Sequence, residues 1–299
     1  CDSFSGTASV SRFFKNKYTI ISNDLLYSSY ILQMGTIENT DTPTFDKIRK
    51  VLNIEDVFDY LENTDISKEN FNKFIYENYS PNDNCERMYL TPENALRIDF
   101  IRNKIENWKN KELTTINEYY YLLASLIEGV PYVSNITGTY GAYLKQWDKR
   151  AFKKFELIRL NVIDNKSNNK CYNRNANELI KEIKGDILYL DPPYNERQYL
   201  PNYHLLETIA RYDNPEIKGK TGIRKYETEK SNYCIKNKVY NELKELIKKA
   251  NFKHIIVSYN QDGLLSEDEI KSILIDCGNE DTYKLYKIPY KQYQNNLTK

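Results

Sequence analysis

A short apolar run, Ile187-Leu188-Tyr189-Leu190, stops abruptly at Asp191-Pro192-Pro193-Tyr194. Proline donates nothing to a sheet ladder, so a strand that meets two prolines must end there. The result is a stiff corner with a carboxylate at the carboxyl end of a strand. Around it, strands and helices alternate. His254-Ile255-Ile256-Val257-Ser258-Tyr259 reads as a buried strand, and before it Val239, Leu243, Leu246 and Ala250 recur at helical spacing. After it, Ser266 and Glu269 form a capping box for a helix that carries Ile270, Ile273, Leu274 and Cys277 up to Gly278. This alternation predicts an α/β fold, a mainly parallel sheet with helices on both faces. Ligands of such sheets gather at the carboxyl ends of strands. A last alternating run, Tyr283 to Ile288, fits an antiparallel edge strand.

Two more segments fall at strand ends. The first is residues 4–8, within Asp2-Ser3-Phe4-Ser5-Gly6-Thr7-Ala8, where Ser5-Gly6-Thr7-Ala8-Ser9 reads as a small-residue turn leading into a helix. The second is Asn23-Asp24, at the end of a strand predicted over Tyr18-Thr19-Ile20-Ile21. Residues 41–150 differ in kind and read as helical. Thr91-Pro92-Glu93 has the form of an N-cap with proline in the first turn, and Ile98, Ile101, Ile105 and Trp108 follow at helical spacing. A second helix is predicted from Glu118 to Glu128, ahead of Gly129 and Pro131. The chain thus divides into residues 1–40 with 151–299, and an inserted helical region at 41–150.

Composition narrows the partners. The 43 basic and 42 acidic side chains nearly cancel, so any nucleic acid must be met by charge gathered on one face. No apolar run approaches the ~20 residues of a membrane-spanning helix. The five cysteines are scattered and odd in number, which argues against a disulfide framework and a clustered zinc site. A cytoplasmic setting and no metal are expected. The first residue is Cys and the first motif begins at once, so the chain reads as a fragment or a processed product.

The corner's residue types suit one chemical problem. An exocyclic amine on adenine is a poor nucleophile, because its lone pair is delocalised into the ring. A carboxylate and a backbone carbonyl can both accept hydrogen bonds from that amine and free the lone pair. Pro192 and Pro193 would hold the carbonyl in place, and Tyr194 offers a ring face to an extruded base.

Asp191–Tyr194 with Asn195-Glu196-Arg197-Gln198-Tyr199, and the longer run through Tyr203-His204-Leu205-Leu206-Glu207-Thr208-Ile209-Ala210, resembles Dam-like adenine-N6 DNA methyltransferases of type II and IIS modification systems. The resemblance covers nearly the whole chain. It implies a Rossmann-like methyltransferase sheet that uses S-adenosylmethionine, with a helical target-recognition insert. Asp191, Pro192, Pro193 and Tyr194 would be catalytic. The cofactor would meet Asp2, Phe4, Gly6 and Thr7, with Asp24 on the ribose hydroxyls and Asn175 near the adenine. The family pattern Phe-x-Gly-x-Gly has Ala8 as its last member here, which strains the loop if that position needs a positive φ. An upstream segment often closes over the cofactor in this family, so weak cofactor binding is expected without it.

The implied partner is double-stranded DNA, together with a restriction endonuclease acting on the same site. Two basic runs are candidates for phosphate contact: Lys145, Lys149, Arg150, Lys153 and Lys154, then Lys218, Lys220, Arg224 and Lys225. The stretch 138–145 is similar to a family segment beside the catalytic site. Arg197 and Tyr199 would hold the flipped strand. Tyr259 fits either a base-stacking role or a buried strand end, and Lys291 resembles a family position. His204 reads as structural. Two other readings use the same residues, namely methylation of RNA or another amine, and a non-catalytic specificity subunit.

Overall fold

The computed structural model describes residues 1–289, and Lys291 lies outside them. The fold is mixed α/β, with eleven α-helices and three small two-stranded sheets among these residues. Strand β1 (Ile21–Asn23) pairs in parallel with β2 (Lys170–Tyr172). Strand β3 (Lys184–Leu190) pairs in parallel with β6 (Asn251–Val257). The chain start joins the two pairs, because Asp2 bridges both Ser22 and Tyr189 in the parallel sense. Asp2 N donates to Ile21 O at 2.8 Å, and Ser3 N to Tyr189 O at 3.3 Å. The chain therefore begins extended between β1 and β3, ahead of the turn expected at residues 5–9. The strand predicted over Tyr18–Ile21 lies later, at Ile21–Asn23. Strands β4 (Ile217–Lys218) and β5 (Ile223–Arg224) form a small antiparallel hairpin.

The helices sort into two layers. Helices α1 (Ser9–Phe14), α2 (Tyr27–Gln33), α3 (Asp46–Leu52), α4 (Val57–Asn63) and α5 (Phe74–Tyr79) come first. Two long helices follow, α6 (Pro92–Asn110) and α7 (Ile116–Gly129). The first carries the expected cap, and the second starts two residues before the expected Glu118. Thr91 Oγ1 accepts from Asn94 N at 3.3 Å, and Thr115 with Glu118 completes a capping box. Their apolar faces meet those of α2, α4 and α9 (Tyr199–Arg211) in one core, which includes Ile31, Leu61, Ile98, Leu123, Leu126, Leu205 and Ile209. The helical region is therefore continuous in packing with the segments that flank the sheet.

A second core lies on one face of β3 and β6. Leu188 and Leu190 pack there with Val239, Leu243 and Leu246 of α10 (Val239–Lys249), Ile273 of α11 (Glu267–Cys277), and Ala176 and Ile180 at α8 (Ala176–Leu179). Expected cover on both faces is not what these strands have. Ile187 is 38% and Ile256 50% exposed on the opposite side. Strand β6, read as buried, thus carries exposed His254 and Ile256. Among the described residues nothing pairs with the run Tyr283 to Ile288, which forms no strand there, and Leu285, Tyr286 and Ile288 are exposed. Among the described residues no helix is long and apolar enough to cross a membrane.

Candidate active site

The corner after β3 is clamped from behind. Ser258 N donates to Leu190 O and Leu264 N to Tyr194 O, each at 2.8 Å, so the chain leaving β6 holds both ends of the turn. Pro192 is buried, while Asp191 and Tyr194 reach solvent. Protein packed around the Asp191 carboxyl still disfavours its charge and pushes its pKa up, with Ser258 pulling it partly back. Helix α9 begins just beyond. Tyr199 and Tyr203 stack there with centroids 6.2 Å apart, and Tyr194 is within electrostatic reach of both.

The first loop comes to the same edge. Phe4 sets its ring edge-on to Tyr233 at 5.0 Å. Gly6 takes φ 51° and donates its N–H to Asp24 Oδ2 at 2.8 Å. Thr7 is exposed, with its hydroxyl 2.8 Å from that of Ser9. Ala8 does adopt the left-handed conformation, φ 60° and ψ 22°, and its methyl group is fully buried. A glycine would take that φ without the Cβ penalty.

Three carboxylates converge here. Asp2 is 4% exposed, and burial lifts its pKa to about 6 against the hydrogen bond from Ser11. Asp24 and Asp191 add like-charge repulsion to Asp2, so all three share one field. Asp2 Oδ2 accepts from Ser11 Oγ at 2.9 Å, whereas Oδ1 is buried without a partner. Burial also raises Asp24 to about 6, opposed by the amides of Leu26 and Gly6 and reinforced by Glu207. Among the described residues none of the three is in an ion pair with Lys or Arg. No group of three metal-binding side chains occurs there either.

The next loop, 173–175, is tied to Asp24 through residues the sequence did not single out. Asn173 Nδ2 donates to Asp24 O and Leu25 O, both at 2.9 Å. Asn23 Nδ2 reaches Ser3 O at 3.1 Å and Arg174 O at 3.0 Å. Asn175 is exposed beside them, but its Oδ1 accepts from Asn177 N at 2.8 Å as the N-cap of α8. Its side-chain oxygen is already committed to that helix.

Glu207 was also missed as a site residue. It is fully buried on α9, and its carboxylate accepts from Tyr27 N and Ser28 N, each at 2.9 Å. Asp24 Oδ1 accepts from Leu26 N at 2.9 Å. Three orphan amides at the start of α2 are thereby satisfied by two acids from distant parts of the chain. Arg211 pairs with Glu207 at 2.7 Å and balances its charge. No local pattern marks Glu207, because its partners lie some 180 residues upstream.

The DNA candidates scatter. Lys145 and Arg197 are exposed. Tyr199 is 38% exposed at the mouth of the corner. Arg150 instead donates to Ile136 O and lies near Asp148. Arg224 is a correction: it is 4% exposed and paired with Asp213 at 2.5 Å, so its charge is spent inside the protein. Tyr259 packs against the second core and accepts from Leu265 N at 3.3 Å. The 138–145 stretch does reach the corner's helix, since Tyr140 N donates to Asn202 O at 2.7 Å. His204 is buried, and its Nε2 donates to Tyr140 O at 2.8 Å. Burial pushes its pKa down to about 4, as expected of a neutral structural imidazole.

Comparison with known proteins identifies the family. The family model described as D12 class N6 adenine-specific DNA methyltransferase matches residues 1–273. Type II methyltransferase M.FokI of Planomicrobium okeanokoites is 55% identical over 98% of this chain and 45% of its own length. Modification methylase StsI of Streptococcus sanguinis is 45% identical over 98% of this chain and 44% of its own. Type II methyltransferase M.NlaIII of Neisseria lactamica is 39% identical over 100% of this chain and 84% of its own. The chain thus spans less than half the length of the first two relatives. No solved structure matches it significantly. The chain therefore belongs to the D12 class N6 adenine-specific DNA methyltransferase family.

Proposed function

We propose that this chain transfers a methyl group from S-adenosylmethionine to the N6 amine of an adenine swung out of duplex DNA. It would serve as the modification half of a restriction-modification system, beside an endonuclease that reads the same site. The observation that carries this reading is the open corner. Asp191 stands at a strand end, reachable from solvent, in the same electrostatic field as Asp2 and Asp24.

The donor set fits the cofactor. Three carboxylates without basic partners suit a cationic sulfonium, and Asp24 keeps lone pairs for a ribose diol beyond the two amides it serves. Gly6 opens onto free space, where an added Cβ would touch nothing. When bound, S-adenosylmethionine supplies an electrophilic methyl group. Asp191 and the Pro192 carbonyl would accept the two amine hydrogens of the target base. That pulls the nitrogen toward tetrahedral geometry and frees its lone pair. Tyr194 would face the base, and the prolines fix the acceptors so that little ordering is left to the reaction. The adjoining strands would form the Rossmann-like sheet, with residues 1–40 and 151–299 catalytic. Residues 41–150 would be the target-recognition insert, held rigid because α7 shares a core with α2 and α9.

The test is transfer of a labelled methyl group by the full chain, with duplex DNA and RNA offered separately and the product base identified by mass spectrometry. N6-methyladenine in DNA is expected. Label confined to RNA, or no transfer despite saturating cofactor, would remove the assignment.

A further inference from the structure

The turn between β4 and β5, Gly219-Lys220-Thr221-Gly222, is held in an unusual way. Three of its four carbonyls accept a hydrogen bond from a side chain of the helical region, and the fourth lies within hydrogen-bond distance of another. Arg87 donates to Gly219 O at 3.0 Å and to Lys220 O at 3.1 Å. The Tyr89 hydroxyl lies 2.9 Å from Thr221 O, and that of Tyr79 donates to Gly222 O at 3.0 Å. Tyr79 and Tyr89 are fully buried. Gly219 and Gly222 take φ of 68° and 70°, and a Cβ on Gly222 would lie 2.8 Å from Arg87 Nε. The backbone of the turn is thereby tied to the helical region at each of its four residues.

What faces outward is charge. Lys218, Lys220 and Lys225 are exposed. Lys218 has a loose surface contact with Glu216 at 3.4 Å. Lys220 and Lys225 have no ion pair among the described residues. The same anchor also reaches the corner. Tyr89 Oη lies 2.8 Å from Tyr140 O, its one proton serving either that carbonyl or Thr221 O. His204 of α9 donates to Tyr140 O, and Tyr140 N is tied to Asn202 O. The turn, the 138–143 loop and the helix behind Asp191 therefore share one buried hub.

We propose that this turn is a preorganised phosphate clamp for DNA, which sets the duplex in register with Asp191 through the Tyr79–Tyr89–His204 hub. The proposal rests on the DNA reading above. A fixed cationic turn loses little freedom on binding a polyanion, so its lysines contribute more than equally exposed ones on mobile chain. The interaction is charge-driven and needs no base contact.

The test measures binding of the full chain to mixed-sequence duplex DNA over a range of salt concentrations. Substituting Lys218, Lys220 and Lys225 together by Ala leaves the core untouched. For each of these lysines that meets a phosphate, binding should weaken by roughly five- to tenfold near 0.1 M salt, and the salt slope should flatten by about 1. Tyr79→Phe with Tyr89→Phe keeps every lysine and should weaken binding with the slope retained. A triple lysine variant that binds with wild-type affinity and slope overturns the clamp while leaving the methyltransferase reading intact. A wild-type chain that methylates RNA and binds no duplex at any salt overturns both.

Discussion

The helical body and the sheet edge treat their acids in opposite ways. Asp99, in the body, is 2% exposed and spends both oxygens on the start of α5, accepting from Ile75 N at 3.0 Å and Tyr76 N at 2.8 Å. Burial lifts its pKa to about 8, and the amides hold it in place. Asp191, at the edge, is open to solvent and takes support only from Ser258. Asp24 lies between the two, with two amides and a half-exposed position. A carboxylate sealed in the core against helix amides is building a helix. One that stays open to solvent at a strand end is available to a substrate.

The strongest break of that contrast is Asp191→Ala. Transfer should fall by about 10³-fold, while the melting temperature stays within roughly 2 °C of wild type, because the side chain supports no core. A large loss of stability would make Asp191 an acid of the body kind. Next comes Glu207→Ala, which leaves two amides without their acceptor and Arg211 with Glu229 alone. We expect a loss of about 3 kcal/mol, seen as a drop of roughly 6 °C or more. Unchanged melting would show that α2 does not need this acid.

Asp2→Asn is smaller and opposite in sign. A carboxyl raised to about 6 opposes folding once ionised, so its penalty is full above pH 6 and fades as pH falls toward the unfolded value of 3.8. The variant should melt higher than wild type at pH 7, by on the order of 2 kcal/mol, with the gap closing by about pH 4. A gap that widens in acid would reverse the assignment. The least change is expected for Ala8→Gly. Relief of the left-handed φ is worth about 1 kcal/mol, and the buried methyl removed is worth about 0.8 kcal/mol. Melting curves should nearly superpose, and a shift of several degrees would show that one of these terms is misjudged.

What could be read in advance followed from local physics. The corner at Asp191–Tyr194 announced itself because proline ends a strand whatever surrounds it. The caps at Thr91 and Ser266 likewise depend on residues within three positions. The misreadings concern contacts made at a distance. Arg224 looked like a phosphate ligand until Asp213 folded against it. The pairing of Asp2 and Ser3 gave no signal, because so short an extended stretch carries too few positions to show a period. The bare face of β3 and β6 was invisible for a similar reason, since alternation predicts that helices exist and not which strands they cover. Glu207 could be seen only when α9 and α2 were brought together.

That joint makes α2 and α9 one strut. A carboxylate rooted just past the diproline turn ends in the amides that open the helix beside Gly6, with no solvent and no spare slack between them. Neither end can tilt or slide without breaking short, charge-assisted bonds. The two halves of the pocket, some 180 residues apart in sequence, keep a fixed spacing in the same way that a brace fixes the legs of a trestle.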